Sequence, residues 1–504
     1  MGGDEEKPSL RPPLHGYYRR EAEAPRTSFA LVDLKAYIAD RDNYTSASCK
    51  LSDGTHIRVT FCAAPPPLVS YLCVWCPGLP PTEIDLEPTV LAVESDLLLL
   101  DFSLHGWRHV DYLVYKAYDG SGPSLQLLHL PDPCLDKNCS FSLLPHRDIA
   151  QRHQPVDGGE DDSSGFRLRR HGEEDCHYYV AVFYYDSNNE SEYSFKLWVF
   201  DSEEEQWSSR LISVHCPVYH ITTKVISLGK DGLLGFLDPW RGIVVSDILG
   251  RRDSHYLPLP AGLITNRVMV QPALLFRDIA LVQGRLTVVD LHPPTGPDAN
   301  QNFNWGVSTW SRKVTDLWEE DWRHDYNVCS PDISVDQDTE NVSLLPVLKD
   351  SQGQLRPTLG RLYIAHPMLS LSDSHAVYIM AKASICDKKK ALVLSIDLAE
   401  PRLQGVAEFA AERMLGAIFS YTCTQSWIPK YFNPGGGLKR SGDFHAAYLR
   451  KLKSKIDEVR SEYLESIDEE HRVYLELPID AEDDHISGGS KGAEHDNDIM
   501  DVDL

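Results

Sequence analysis

A pair of thiols, a serine flanked by glycines and a Trp-Arg dipeptide are the residues whose types and spacing could do chemistry in this sequence. Cys73-Val74-Trp75-Cys76 has the spacing of half a zinc site or of a redox dithiol. Zinc needs a second pair, and the nearest candidates, Cys134 and Cys139, have four residues between them on a loop after Pro133. A redox pair would open a helix beside a parallel strand, whereas this one lies in a β-rich run that stops at Pro77. The two cysteines therefore read as buried strand residues. Gly488-Gly489-Ser490-Lys491-Gly492 has the letters of a nucleophile elbow, but no strand precedes it and no helix follows it. Gly229-Lys230-Asp231-Gly232 shares only composition with a phosphate loop and reads as a hairpin turn. His105 and His109 are four apart, yet Gly106 and the strand context do not make one helical metal face. His220 is expected to hydrogen-bond a turn.

Trp240-Arg241-Gly242 is the most suggestive motif, because an indole beside a guanidinium can stack on a ligand. The preferred reading is packing: Trp240 fills a gap between neighbouring sheets, and Arg241 pairs with Asp238 or Asp247. No residue is assigned a catalytic, cofactor-binding or metal-ligating role, no cofactor is expected, and the chain reads as a non-enzyme.

The elements that would position these residues are short strands. Around the Trp-Arg pair they fall at 225–228, 233–237 and 242–249, separated by Lys230-Asp231-Gly232, where Gly tolerates positive φ, and by Asp238-Pro239, where Pro presets φ. The same pattern runs through 57–61, 70–75, 90–93, 97–102, 112–115, 125–130, 178–185, 195–200, 207–214, 370–381 and 391–398. A polar insertion at 157–175 reads as a surface loop. Strands ending in Asp recur at Asp201, Asp247, Asp290 and Asp397, with steps of 46, 43 and 107 residues, the last taken as about two repeats with an insertion. A period of roughly 40–50 residues with four strands each predicts the blades of a β-propeller, since one small sheet cannot bury both faces alone. The fold class is thus all-β and propeller-like, with paired β-sandwiches as the alternative.

The expected organisation is a disordered segment at 1–27, a β-repeat domain at 28–430, a Gly-rich hinge at 431–440, an amphipathic helix at 441–475 and an acidic disordered tail at 476–504. A short helix is expected at 316–322, with Trp318 and Trp322 one turn apart. In the C-terminal helix the apolar residues Phe444, Tyr448, Leu452, Ile456, Val459, Tyr463 and Ile467 recur every three or four positions, a stripe suited to a partner or to self-association. The net charge of −26 argues against nucleic acid, and 14 of those charges lie between Asp457 and Leu504. No apolar run is long enough for a membrane, and the acidic N-terminus lacks the form of a targeting peptide. Eleven scattered cysteines suit a reducing compartment, so the chain is expected in the cytoplasm or nucleus, and the sequons at Asn43, Asn138, Asn189 and Asn341 are expected to be accidental.

Three blocks carry a resemblance. They are Ile57-Arg58-Val59-Thr60-Phe61-Cys62-Ala63-Ala64-Pro65-Pro66 with Ser70-Tyr71-Leu72-Cys73-Val74; Leu97-Leu98-Leu99-Leu100 with Asp111-Tyr112-Leu113-Val114-Tyr115; and the stretch from Thr223 through Gly235-Phe236-Leu237-Asp238-Pro239-Trp240-Arg241-Gly242-Ile243 to Tyr256-Leu257-Pro258-Leu259-Pro260. Together they resemble a large plant family, mainly of grasses, defined only as a domain of unknown function (number sixteen-eighteen). The resemblance implies no activity and supplies no site residues. The spacing from Phe200-Asp201 to Trp207 is also similar to Kelch-like and F-box-associated repeats, although no F-box is recognisable. The leading expectation is a non-catalytic protein-interaction scaffold. The alternatives are a ubiquitin ligase's substrate-recognition arm, or an enzyme whose site is assembled in a propeller channel.

Overall fold

Leu97-Leu98-Leu99-Leu100 is buried at every position, which a sheet with one solvated face would not allow. In the computed structural model of the chain, Leu98 and Leu100 pack with Phe61 and Leu72 on one side, while Leu97 and Leu99 pack with Leu143 and Val180 on the other. The strand is covered on both faces by neighbouring sheets. The structure describes residues 7–432, apart from 85, 105–109, 119–121, 131–138, 147–176, 187–193, 216–219, 230–231, 265–271, 293–303, 315–319, 350–353, 385–389 and 411–422.

Six sheets form the blades of a β-propeller. Blade 1 contains β1 (Ala30–Asp33), β2 (Tyr37–Ile38), β3 (Ala47–Lys50), β4 (His56–Cys62) and β5 (Val69–Trp75). Blade 2 is β6 (Thr89–Glu94), β7 (Leu97–Phe102), β8 (Asp111–Lys116) and β9 (Ser124–Leu128). Blade 3 is β10 (Ser140–Pro145), β11 (Tyr178–Tyr185), β12 (Ser194–Asp201) and β13 (Gln206–Ser213). Blade 4 is β14 (Lys224–Ser227), β15 (Leu233–Asp238), β16 (Gly242–Asp247) and β17 (His255–Pro258). Blade 5 is β18 (Arg277–Val282), β19 (Arg285–His292), β20 (Gly306–Lys313) and β21 (Arg323–Cys329). A hairpin, β22 (Val347–Lys349) and β23 (Leu355–Pro357), precedes blade 6, which is β24 (Tyr363–Leu369), β25 (Ala376–Lys382), β26 (Lys390–Asp397) and β27 (Arg402–Ala410). Blades 2 to 6 are antiparallel meanders in sequence order.

The ring is closed by the other end of the domain. Strand β28 (Cys423–Ser426) joins blade 1 antiparallel to β1, with Val32 opposite Thr424, and β1 in turn runs parallel to β5. The inner strands β6, β10, β14, β18, β24 and β28 adjoin one another around an axis. Between each pair of adjacent blades lies an apolar layer, including Phe183 stacked on Phe236 at 3.8 Å between blades 3 and 4, and Phe29, Leu31 and Val69 against Met368 and Met380 between blades 6 and 1. Layers of this kind between every neighbouring pair exclude paired sandwiches, which would bury only one face of each sheet.

The Asp pattern has a local cause. Asp201, Asp247 and Asp397 end the third strands of blades 3, 4 and 6, where each Oδ1 accepts backbone N–H groups of the following turn: Glu203 at 2.9 Å, Leu249 at 2.9 Å and Ala399 at 3.0 Å. Asp290 differs. It lies on the second strand of blade 5 and pairs with Arg277 at 2.5 Å. The step from Asp247 to Asp290 therefore joins non-equivalent positions, and the 107 residues to Asp397 hold one blade boundary and an insertion, not two repeats.

That insertion runs from Ser330 to Leu362. It covers the outer edge of blade 6 through parallel bridges of Ser334 to Arg402 and Glu340 to Gly405. Residues 7–27 correct the expectation of a disordered leader. They lie on blade 1 because Tyr71 Oη contacts the Pro13 and His15 carbonyl oxygens at 2.8 Å, and His15 Nε2 meets the Val69 carbonyl at 2.9 Å. Within the helix expected at 316–322, the described residues Glu320, Asp321 and Trp322 are not helical. Trp322 instead donates its Nε1–H to the Pro258 carbonyl. The C-terminal helix with Tyr448, Leu452, Ile456, Val459 and Tyr463, the hinge from 433 and the acidic tail lie outside the described residues. Among the described residues no helix is long and apolar enough to cross a membrane.

Candidate functional site

The inner strands begin around one mouth of the channel, and several carry polar residues in their first turns of chain. Lys224 is the first residue of β14, Asp278 the second of β18, and Gln425 lies in β28. The Lys224 Nζ donates to Asp278 Oδ1 at 2.6 Å and to Gln425 Oε1 at 3.2 Å. Gln425 returns its Nε2–H to Asp278 Oδ2, and the Leu369 N–H donates to the same oxygen at 3.2 Å. One buried carboxylate thus gathers donors from blades 4, 1 and 6 onto blade 5. Asp278 thus accepts three hydrogen bonds across its two oxygens.

Lys224 and Asp278 also line a cavity of about 1070 Å³. All six inner strands reach it, and its lining also includes Phe141, Tyr184, Tyr185, Asp186, Lys196 and Ile221. Two histidines contribute to the wall. His366 sits at positive φ in a bulge of β24, where the register shifts between Ala365 and Pro367, and its Nδ1 meets the Leu274 carbonyl at 3.1 Å. His220 packs between Phe195 and Tyr256, with Nε2 3.2 Å from Thr222 Oγ1. Burial pushes its imidazole down to about 4, against the pull of the Asp238 carboxylate, so it is neutral near pH 7. Among the described residues no group of three or more His, Cys, Asp or Glu side chains is placed to hold a metal ion.

Trp240 and Arg241 lie beside the cavity in the turn between β15 and β16. Arg241 Nη1 is 2.9 Å from Asp238 Oδ2 with both side chains buried. Asp238 also accepts the N–H groups of Ile221 and Trp240 at 2.9 and 3.0 Å, so one carboxylate fixes the turn and the approach to β14. Trp240 is half-buried and faces blade 5, with the Arg277 guanidinium 4.8 Å from its ring and Phe276 6.1 Å away. Arg277 is itself held by Asp290 and by the carbonyls of Pro239 and Leu263. Cys73 ends up on β5 and Cys76 just after it, both buried and neither in a disulfide. The described sequon residues Asn43 and Asn341 donate their Nδ2 groups to the carbonyls of Phe61 and Val406.

Lys224, Asp278, Gln425 and His366 were not singled out from the sequence. The only local signal is a polar residue opening an apolar strand, as in Arg277-Asp278 before Ile279-Ala280-Leu281-Val282.

No curated protein matches the chain. Among solved structures, a GDP-Man-dependent mannosyltransferase from Leishmania mexicana aligns over 78% of this chain and 89% of its own, at 8% identity and a TM-score of 0.20, which is too low to carry an argument. Neither a plant origin nor a likeness to Kelch-like repeats is shown by these comparisons. The model of the family described as "Protein of unknown function (DUF1618)" matches residues 237–378, from the end of β15 to the second strand of blade 6. Residues 237–378, which run through blades 4, 5 and 6, are thus similar to a family of unknown function.

Proposed function

We propose that the protein is a non-catalytic scaffold that binds another protein. The observation that carries this reading is the hairpin of β22 and β23, a two-stranded sheet standing apart from the blades. Lys349 is opposite Leu355 and Val347 is opposite Pro357, so Val347 and Leu355 share one face. They are 53% and 63% exposed, next to the partly exposed Leu344. A two-stranded sheet is marginal alone, and its open edge offers backbone donors and acceptors to an extended segment of a partner. Apolar side chains of that segment would cover Val347 and Leu355. The apolar stripe expected at 441–475 supplies a second contact. In the channel, Lys224, Asp278 and Gln425 are engaged with one another, which fits a structural rather than a reactive core.

The test is capture by the full chain from its own cells, comparing wild type with a Val347→Glu/Leu355→Glu variant of unchanged Tm. A defined set of proteins bound by wild type and lost from the variant supports the reading. Identical or empty sets overturn it. An enzyme with its site in the channel is the second reading, favoured by a cavity that is open and walled by His220 and His366 rather than plugged by apolar side chains. Turnover of a substrate that is lost in a folded His366→Ala variant would establish it.

A further inference from the structure

The cavity at the channel mouth has a chemical character of its own. Its lining carries three carboxylates, Glu94, Asp186 and Asp278, and three cations, Lys196, Lys224 and Arg277. The lining charge therefore cancels in a chain whose net charge is −26. The cations are already committed. Lys224 is paired with Asp278, Arg277 with Asp290, and Lys196 lies 4.8 Å over the Trp198 ring. A phosphate or carboxylate ligand would meet cations that already have partners, and a cation would meet carboxylates that are engaged as well: Asp278 by Lys224, Gln425 and the Leu369 N–H, Glu94 by the Ser95 hydroxyl, and Asp186 by a neighbour of its own.

What the wall offers is neutral hydrogen bonding. Ser140, Ser142, Thr222, Thr223 and Thr424 line the space; the Ser140 and Ser142 hydroxyls donate to the Thr222 and Leu143 carbonyls and Thr222 Oγ1 meets His220 Nε2, so each of these three keeps one role open. Each hydroxyl can donate and accept, which suits a ligand bearing hydroxyls of its own. Lys224, whose charge is paired with Asp278, also lines the space, and its ammonium has one N–H donor more than the two that Asp278 and Gln425 take. Tyr185, 42% exposed, lines the space with its ring edge-on to Phe195 at 6.0 Å and presents an aromatic surface to a ring that enters. The volume lies at the upper end of the range of roughly 300–1,000 Å³ seen for small-molecule sites.

We propose that this cavity binds a neutral, polyhydroxylated ring compound of the sugar class, with Tyr185 stacking on the ring and the hydroxyl wall with Lys224 reading its hydroxyls. The site is independent of the exposed hairpin, and a scaffold that binds protein there can still hold a small ligand here.

Titration calorimetry on the full chain tests it with a panel of neutral mono-, di- and trisaccharides, beside glucose 6-phosphate, glucuronate and glucosamine as charged analogues. The expected result is saturable binding of at least one neutral sugar. That binding should be little affected by salt, about tenfold or more tighter than the charged analogues, and weakened about tenfold by Tyr185→Ala, roughly 1.4 kcal/mol. Tyr185 is exposed, so the variant is expected to keep the wild-type Tm. Silence of the whole neutral panel up to about 10 mM, tighter binding of a charged analogue, or binding unchanged in Tyr185→Ala each overturns the proposal. A Ser142→Phe variant that intrudes on the wall gives a second check: sugar binding retained in full would place the ligand elsewhere.

Discussion

Lys224 and Asp278 face each other from the inner strands of blades 4 and 5, and their 2.6 Å ion pair is the point to which blades 1 and 6 also attach. The Asp278 side chain is only 6% exposed, and that of Lys224 18%. Removing one member leaves the other charge without its partner in a poorly solvated place. Asp278→Ala should therefore destabilise by about 3–5 kcal/mol, read as a shift in the urea midpoint at unchanged slope. In a Lys224→Met/Asp278→Leu double variant the loss should be smaller than the sum of the single losses. Strict additivity would mean that the two residues do not act together.

The Arg241–Asp238 pair is more deeply buried, at 5% and 2% side-chain exposure. Arg241→Ala strands a carboxylate that also orients the Ile221 and Trp240 N–H groups, and it should cost about 3–5 kcal/mol. Trp240 is only half-buried, so Trp240→Ala should cost less, about 1–3 kcal/mol, from lost packing and cation–π contact. Equilibrium unfolding of the two variants should rank them in this order. The reverse order would show that Trp240 carries more of the joint between blades 4 and 5 than its exposure suggests.

His220 sets a pH dependence. Its folded value of about 4 lies below the ordinary 6.5, so between these values the unfolded chain binds the extra proton. Stability then rises with pH across this window: it is full above about 6.5 and is lost as pH falls towards 4, to the extent of roughly 3 kcal/mol. Burial lowers His15 and His146 as well, so all three act in one direction. Denaturant unfolding from pH 7.5 to 4.5 should show a shallower decline for His220→Phe than for wild type. Parallel curves would remove His220 from this role.

Gly242 opens β16 where a Cβ would collide with Tyr256 Oη and come within 2.7 Å of the Leu257 carbonyl oxygen. Gly242→Ala forces the outer strand β17 to shift and should cost about 1–3 kcal/mol. Adding Tyr256→Phe, which removes the hydroxyl, should restore only part of this, because the Leu257 backbone contact remains. Full recovery in thermal melts would show that the Tyr256 hydroxyl alone was the obstacle.

The repeat was legible where one residue type has one local job. Asp201, Asp247 and Asp397 mark strand ends because a carboxylate there receives the N–H groups of the next turn. The same letter at Asp290 misled, because its partner is Arg277, across the first hairpin of blade 5, and no spacing rule distinguishes the two jobs. Strands such as β18 and β24 were harder to see than β7, since polar residues at the channel mouth and a bulge at His366 interrupt their apolar runs. Gln425 meets Asp278 and Lys224 from 147 and 201 residues away, and only closure of the ring makes them neighbours.

That closure also sets a timetable for synthesis. Strand β1 emerges early, but its partner β28 follows roughly 390 residues later. At about 5–20 residues per second this leaves β1 without its inner neighbour for roughly 20–80 s. Until then blade 1 exposes an unpaired strand edge, while blades 2 to 6 can each complete their own hairpins. The window in which the nascent chain is most open to mispairing, or to a helper that masks an edge, therefore opens with β1 and closes only with the last strand of the ring.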